Sequence, residues 1–140
     1  MTRRELRPES ISPPFGRYAH GTSVDLGDHV LIVTSGQLGL SVGGSIPEDV
    51  GAQADICFAN ISAILAEAGG YPHDVMRINA FVTDRAYFPE YMAARDRWLT
   101  DVAVLPASTL VIVSGFTRPE FKVEVEVTAV VPKTRQGGLT

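Results

Sequence analysis

Apolar and polar residues alternate strictly near the end of the chain, between Lys122 and Val131. The odd-numbered positions of this run are four valines and one alanine, and the even-numbered positions include two carboxylates, Glu124 and Glu126. A period of two is typical of a β-strand with one buried face. Pro132 ends the run, because proline cannot donate to a strand ladder. A second β-rich run, Thr109–Ser114, precedes it, so the sequence predicts two strands and places both carboxylates on one face of a central strand.

Two other segments have apolar residues at spacings of three and four, the pattern of an amphipathic helix. The clearer one is Val50–Ala68, whose apolar stripe includes Cys57, and two glycines follow it as a C-terminal stop. The second spans roughly Ala86–Thr100, and Thr83-Asp84 can cap its start.

Three more β-strands are predicted from short apolar or alternating runs. They are Tyr18–Asp25, His29–Ser35 and Val75–Val82. The first two form a hairpin, and the apolar core of the second, Val30–Val33, indicates a strand buried on both faces. In the third, Met76, Ile78, Ala80 and Val82 are predicted to share one face.

The predicted order is β-β-α-β-α-β-β in one domain over residues 1–140, with an irregular arm at 1–15, a loop over Gly36–Pro47 and a flexible tail at 133–140. Five strands and two one-sided helices fit an α+β fold, in which one mixed sheet carries both helices on one face. The other face still carries valines, including Val130, and an apolar patch of that size is unusual for a monomer. We therefore expect a homo-oligomer closed by symmetry, with the bare faces packed together.

Composition narrows the possible partners and the compartment. A formal net charge of -4 and a pI near 5.3 argue against sequence-independent nucleic-acid binding, which needs a basic surface. Cys57 is the one cysteine, so no intrachain disulfide forms, and a reducing compartment fits. No apolar run approaches the ~18 residues of a membrane span, and the start lacks a secretory signal. We expect a cytoplasmic protein without a membrane partner.

Candidate chemistry concentrates on two strands. Glu124 can deliver water and shuttle protons as a general acid/base, or it can pair structurally with Lys122. Tyr18 and His20 fall on the same face of their predicted strand, where His20 can shuttle protons or serve as a hydrogen-bonded structural residue. No set of histidines and acids has metal-ligand spacing, and no phosphate-binding glycine motif is present.

Several short pieces, in order and spacing, resemble the Rid family of YjgF-type proteins. The similarity runs from about Phe15 to Val131. Its carriers are Gly16-Arg17-Tyr18-Ala19-His20-Gly21, Val33-Thr34-Ser35-Gly36-Gln37, Gln53-Ala54, Asn60, Ala68-Gly69, Asp74-Val75, Phe81-Val82-Thr83-Asp84, Pro106-Ala107 and Val123-Glu124-Val125-Glu126. The resemblance implies a chorismate-mutase-like fold assembled as a homotrimer, with ligand clefts between subunits. It also implies hydrolysis of reactive enamines or imines, such as 2-aminoacrylate, to a keto acid and ammonia, with no metal or organic cofactor.

The resemblance also assigns site residues. Tyr18 matches the family's site tyrosine, Ser35 and Gly36 match its site serine and glycine, and Glu124 matches the glutamate that positions water. Glu124 and Tyr18 are therefore the predicted catalytic residues, and no metal ligand is predicted.

Two family positions differ in this chain. Ser108 stands where the family has the arginine that binds the substrate carboxylate, and Met92 stands where it has an asparagine. A serine is too short to replace a bidentate guanidinium. Either the ligand lacks that carboxylate or another arginine reaches it, with Arg17 the first candidate and Arg118 the second. The predicted substrate-binding set is Ser35, Gly36, Arg17 and Ser108.

Two functional hypotheses follow from these residues. The first is a cofactor-independent deaminase for a small imine, and the run Gly16-Arg17-Tyr18-x-His20 resembles that of relatives acting on 2-aminomuconate. The alternative is a non-catalytic small-molecule-binding or regulatory trimer of the same fold, motivated by the missing arginine. RNA cleavage is disfavoured by the acidic balance and by the absence of a histidine/lysine cleavage pair.

Overall fold

One mixed sheet of seven strands carries two helices on one face in the computed structural model, which describes residues 2–134. The elements in chain order are β1 (Arg3–Leu6), β2 (Gly21–Asp25), β3 (His29–Thr34), β4 (Gln37–Leu38), α1 (Val50–Ala66), β5 (Val75–Val82), α2 (Phe88–Trp98), β6 (Ala107–Ile112) and β7 (Val123–Pro132), with short 3-10 turns at Pro72–Asp74 and Arg85–Tyr87. The predicted α+β class, with both helices on one face, is confirmed.

Strand β7 is central, as its alternating sequence predicts. The sheet order is β1-β2-β3-β7-β5-β6, with β4 also pairing to β7, and the β5–β6 pair is parallel while the other pairs are antiparallel. Every odd-numbered residue from Val123 to Val131 is 3% exposed or less. Burying this row under the helices is the main hydrophobic contribution of the strand.

Helix α1 covers the middle of the sheet and has a cap at each end. The Asp49 side chain accepts a hydrogen bond from the Ala52 amide at 2.9 Å. After the last turn, Gly69 takes a positive φ of 75°, and the Gly70 amide donates to the Leu65 carbonyl at 2.8 Å. Only glycine adopts that backbone conformation without strain, so the predicted stop is confirmed at Gly69, three residues beyond the observed helix end.

Helix α2 packs beside α1 through aromatic side chains. The Phe58 ring of α1 stacks on Trp98 at 4.9 Å and lies 6.0 Å from the Tyr91 ring. Trp98 also donates from Nε1 to the Ser62 hydroxyl at 2.8 Å, which satisfies its polar end. The helix starts two residues later than predicted, because Asp84 caps the 3-10 turn that precedes it.

The Gln53 side chain of α1 connects the loop before this helix with the turn before β7, from inside the core. Its Nε2 donates to the Pro47 carbonyl at 2.8 Å and to the Glu120 carbonyl at 2.9 Å, and its Oε1 accepts from the Lys122 amide at 2.9 Å. The side chain is fully buried. It thus fixes the loop before α1 and the turn before β7 relative to the helix.

The face opposite the helices is mixed and partly apolar. Val33 on β3 and Val111 on β6 are 43% and 40% exposed in the single chain, and Leu31, Phe81 and Val130 are partly buried. We call this surface, with Glu124 and Glu126 of β7, the open face. The prediction that Val30–Val33 is buried on both faces is wrong for the single chain, because alternate side chains of this strand point to the open face.

Four local predictions are wrong in detail. The arm at 1–15 includes β1, which pairs with β2, and the loop over Gly36–Pro47 includes β4. Both strands are too short for their alternation of apolar and polar residues to be recognised in the sequence. The first predicted strand begins at Gly21 rather than Tyr18, because residues 15–18 form successive bends. In β5 a bulge shifts the register near Val75, so Val75 is buried and Met76 is 60% exposed.

The predicted flexible tail at 133–140 falls largely outside the described residues. Its first residue, Lys133, donates from its amide to the Asp28 carbonyl at 2.9 Å. Within residues 2–134, neither helix is long and apolar enough to cross a membrane.

We predict that Gln53→Leu lowers the free energy of unfolding by about 2–5 kcal/mol, because it leaves three backbone groups without their partner. The matched control on the same helix is Asp55→Asn, which weakens an exposed ion pair with Arg97 at 3.0 Å and should cost less than about 1 kcal/mol. Urea unfolding measures both. Equal losses in the two variants would contradict the role assigned to Gln53.

Candidate functional site

A break in one ladder beside β7 creates the candidate site. Strand β3 pairs with β7 as far as Thr128, and β4 resumes pairing at Val125, so the three residues Thr34–Gly36 oppose only two on β7. The Thr34 hydroxyl accepts the Val127 amide at 3.0 Å, which satisfies a donor that the break leaves without a backbone partner. Bulges of this kind re-aim side chains next to functional sites.

Gly36 passes very close to Glu124 at this break. A Cβ placed on Gly36 would lie 2.6 Å from the Glu124 carboxyl carbon and 2.7 Å from its Oε2. Gly36 does not have a positive φ, so any residue could adopt its backbone conformation. Glycine is required here for space alone, which supports its predicted place in the site.

Glu124 is a partly buried carboxylate in an unfavourable environment for charge. Its neighbour across the β5 pair is Phe81, and Glu126 lies two residues along the same face. Burial raises the pKa of Glu124 above its usual range, and the nearby Glu126 raises it further. The prediction that this carboxylate has the environment of a general acid/base is therefore supported by geometry as well as by pattern.

Tyr18 and Ser35 lie close to Gly36 but face different partners. Tyr18 and Gly36 line one small pocket, together with Pro14, Phe15, Leu40 and Asn60. The Tyr18 hydroxyl accepts from the Phe15 amide at 3.2 Å, and the side chain is 48% exposed. The Ser35 hydroxyl donates to the Ala19 carbonyl at 2.6 Å, so within one chain it holds the loop that carries Tyr18.

His20 is a buried structural residue with both ring nitrogens engaged. Nε2 lies 2.7 Å from the Ser12 carbonyl, which can only accept, so Nε2 carries the proton and Nδ1 is the acceptor. Gln37 donates to Nδ1 at 3.3 Å and to the Ser35 carbonyl at 3.3 Å, and it accepts from Asn60 at 3.4 Å. The structural interpretation of His20 is thus favoured over the proton shuttle, and its predicted sharing of a strand face with Tyr18 is wrong.

The arginine candidates differ in how they are held. Arg17 is exposed beside Tyr18 and forms no ion pair with any residue in 2–134. Arg118 donates to Glu120 at 2.9 Å and lies 5.8 Å from the Phe121 ring centre, so its guanidinium is engaged within its own turn. The Phe121 ring is in turn 6.1 Å from Phe15.

The single chain does not bring Ser108 to Glu124. Ser108 lies on the edge strand β6, in register with the buried Ile78, whereas Glu124 is in register with Phe81 on the open face. Two strand spacings and three residues along the strand separate the two positions by about 14 Å. Met92 is exposed on α2, in the helix layer rather than on the open face.

Sequence reasoning missed the polar residues that support the site. Gln37, Asn60 and Asn79 are single amides in segments assigned to a loop, a helix and a strand. Nothing in their spacing distinguishes them from solvated polar residues. Their contacts depend on the break after β3 and on the β5–β7 register, which no local pattern reports.

Cys57 takes no part in this site. Its thiol is fully buried in α1, 4.0 Å from the Val123 carbonyl, and burial raises its pKa. The prediction that it belongs to the core is confirmed. In the part of the chain that the structure describes, no three side chains of His, Cys, Asp or Glu are grouped to hold a metal ion.

Comparisons with known proteins agree with this architecture. The family model described as Endoribonuclease L-PSP matches residues 10–131. The 2-iminobutanoate/2-iminopropanoate deaminase of Escherichia coli K12 is 33% identical over 129 residues, which cover 91% of this chain and 97% of that protein. The crystal structure of the E. coli YjgF gene product superposes with a TM-score of 0.80 at 32% identity, covering 91% of this chain and 98% of that one. E. coli TdcF with bound serine gives a TM-score of 0.81 at 28% identity and the same coverage.

We predict that Gly36→Ala displaces the Glu124 carboxylate while the protein remains folded, because the Glu124 side chain, rather than backbone, occupies the space the new methyl needs. A crystal structure of the variant should show a different Glu124 rotamer. The control is Gly43→Ala, where a Cβ meets only the Ser41 hydroxyl at 3.9 Å. An unmoved Glu124 in Gly36→Ala would contradict the close approach described above.

Proposed function

The chain belongs to the Endoribonuclease L-PSP family, the family that the Rid resemblance predicts, and on this premise we propose that it hydrolyses the C=N bond of a small imine or enamine to a carbonyl compound and ammonia. The observation that carries the proposal is the partly buried Glu124 carboxyl packed against Gly36 at the break, where burial raises its pKa. The 33% identity to an E. coli protein named as an iminobutanoate/iminopropanoate deaminase supports the same reaction class.

Glu124 carries out each of the four proton transfers in this proposal. Its protonated form donates to the imine nitrogen, and the resulting carboxylate takes a proton from water as the water oxygen bonds to the iminium carbon. The carbinolamine nitrogen then takes the proton back from Glu124. The C–N bond breaks with its electron pair leaving on ammonia, the hydroxyl proton returns to Glu124, and the C=O bond forms. The raised pKa fits this sequence, since the starting state needs a protonated carboxyl.

Tyr18, Ser35 and Gly36 bind the ligand beside Glu124 in this proposal. The Tyr18 hydroxyl accepts from the Phe15 amide, which leaves its own proton available for a ligand oxygen or nitrogen. The Gly36 gap allows the ligand to approach the backbone closely. Arg17 is proposed as the anion-binding residue in place of the missing arginine, because it is exposed next to Tyr18.

The substrate is proposed as a small imino or enamino acid, with 2-aminomuconate-type compounds as the second class to test. The E. coli TdcF structure holds serine, a small amino acid, in a chain of similar fold. A cytoplasmic location belongs to the same proposal and rests on the single cysteine, which fits a reducing compartment.

A second proposal, the non-catalytic binding trimer, is favoured by one observation. The family resemblance places Ser108 and Met92 at the positions of the arginine and the asparagine, and neither lies beside Glu124 in the single chain. A ligand that raises the melting temperature without being turned over would favour this alternative.

We also propose that three copies associate through their open faces. Val33 and Val111 are large apolar side chains left half-exposed on a broad sheet, and a closed symmetric assembly would bury them. In this arrangement the cleft is shared between subunits.

We predict that the protein accelerates ammonia release from imines generated by an amino-acid oxidase, and that Glu124→Gln reduces the acceleration by about 10²–10⁴-fold, the usual contribution of a general acid/base. The control is Glu120→Gln, an exposed carboxylate in the turn before β7, which should retain most of the activity. Absence of acceleration by the unmodified protein with 2-iminopropanoate, 2-iminobutanoate and 2-aminomuconate would overturn the deaminase proposal.

We predict a trimer in analytical ultracentrifugation, and we predict that Val33→Asp shifts it toward smaller species, because the new charge would have to be buried without a partner. Val42→Asp makes the same chemical change at a residue that is 69% exposed in the loop before α1, and it should leave the assembly intact. A monomeric unmodified protein at micromolar concentration would exclude the proposed assembly.

A further inference from the structure

Two carboxylates share the open face of β7, and the Asn79 amide donates to one of them. Glu124 and Glu126 are two residues apart on a strand, which places their Cα atoms roughly 6–7 Å apart. Across the β5–β7 pair, Asn79 is in register with Glu126 and donates from Nδ2 to its Oε2 at 3.3 Å. Both carboxylates are partly buried. The two acids therefore have different environments, although they lie side by side.

Charged groups on the surrounding elements are engaged elsewhere or lie at the sheet edge. Arg77 on β5 donates to the Thr109 hydroxyl at 2.9 Å, and Lys122 donates to the Glu48 carbonyl. Arg3 and Glu5 lie on the outer strand β1. The remaining titratable group is the buried thiol of Cys57, behind the sheet. Among residues 2–134, neither Glu124 nor Glu126 takes part in an ion pair. Glu126 therefore shares the open face of β7 with Glu124, whereas the Lys122 ammonium is directed to the Glu48 carbonyl and the Tyr87 ring.

We propose that Glu126, held by Asn79, is a positioning residue for Glu124. The fixed negative charge of Glu126 favours the protonated form of Glu124. The amide of Asn79 holds the Glu126 carboxylate in place on the open face, beside Glu124. Like charges at this distance disfavour the ionisation of the second group. With Glu126 held by Asn79, the proton is therefore bound by Glu124, the carboxyl that lies against Gly36.

This inference rests on the proposed role of Glu124 in imine hydrolysis. A site that begins its cycle with a proton on Glu124 needs a means of retaining that proton near neutral pH. Burial contributes one part, as for any half-covered carboxyl. The negative charge of Glu126, which is bound by the neutral amide of Asn79, contributes a second part to the retention of the proton on Glu124. A single substitution can remove this second contribution.

The experiment is a pH titration of the glutamate carboxyl carbons by ¹³C NMR on the full-length protein, with the Glu124 signal assigned from its loss in Glu124→Gln. We expect Glu126→Gln to move the midpoint of Glu124 to lower pH, since it removes the neighbouring charge and keeps the shape of the side chain. Asn79→Ala should also move it to lower pH, because the Glu126 carboxylate is then no longer held beside Glu124. Glu67→Gln, an exposed change of the same charge at the end of α1, should leave the midpoint unchanged.

An unchanged or raised Glu124 midpoint in Glu126→Gln would overturn the inference, and so would the same shift in Glu67→Gln. Asn79→Ala provides an independent test should Glu126→Gln fail to fold. The titration needs no substrate, so its result is separate from the outcome of the ammonia assay. If the protein is active, the falling limb of the kcat profile at high pH should move to lower pH in Glu126→Gln, a change that a purely structural role would not produce.

Discussion

The structure depends on the simultaneous pairing of β7 along both edges while one of its faces is buried under α1. Five small apolar side chains on that face, from Val123 to Val131, are almost fully buried. Because a strand has a period of two, the same pairing forces Glu124 and Glu126 onto the other face, beside Phe81 and Asn79. A shift of one residue would exchange the two rows. The register that builds the core is therefore also the register that places the acids.

The site arises where this regular pairing is interrupted. Continuous pairing from β3 into β4 would leave no room for the Glu124 side chain to lie against the backbone, and the extra residue at Thr34–Gly36 provides that room. Gln37 and His20 then satisfy the polar groups of the break from the core side. The glutamate is thus held in a setting that disfavours its charge, and the surrounding hydrogen bonds keep that setting rigid. The same half-exposed surface also carries the apolar side chains on which the proposed assembly depends.

The sequence alone was sufficient for features that depend on local period. The alternation after Lys122, the three-four spacing of α1 and the glycine stop at its end each correspond to an observed element. It was insufficient where the outcome depends on long-range pairing, as for β1 and β4, or on a bulge, as for Val75 and Met76. The residues of the candidate site show the same difference between local pattern and long-range pairing. Glu124 was found through the strand alternation and the family resemblance, and Gly36 through the resemblance. Asn79 and Asn60 act only through partners that are 47 and 23 positions away in the chain.

Because Cys57 is buried, the rate at which its thiol is modified reports how often the helix layer opens. The sulfur lies between α1 and β7, so an alkylating or oxidising reagent can reach it only after that layer separates from the sheet. Oxidants that modify exposed thiolates would leave the closed form untouched. A protein whose proposed substrates are reactive electrophiles would thereby keep its most nucleophilic atom out of their reach for as long as it stays folded.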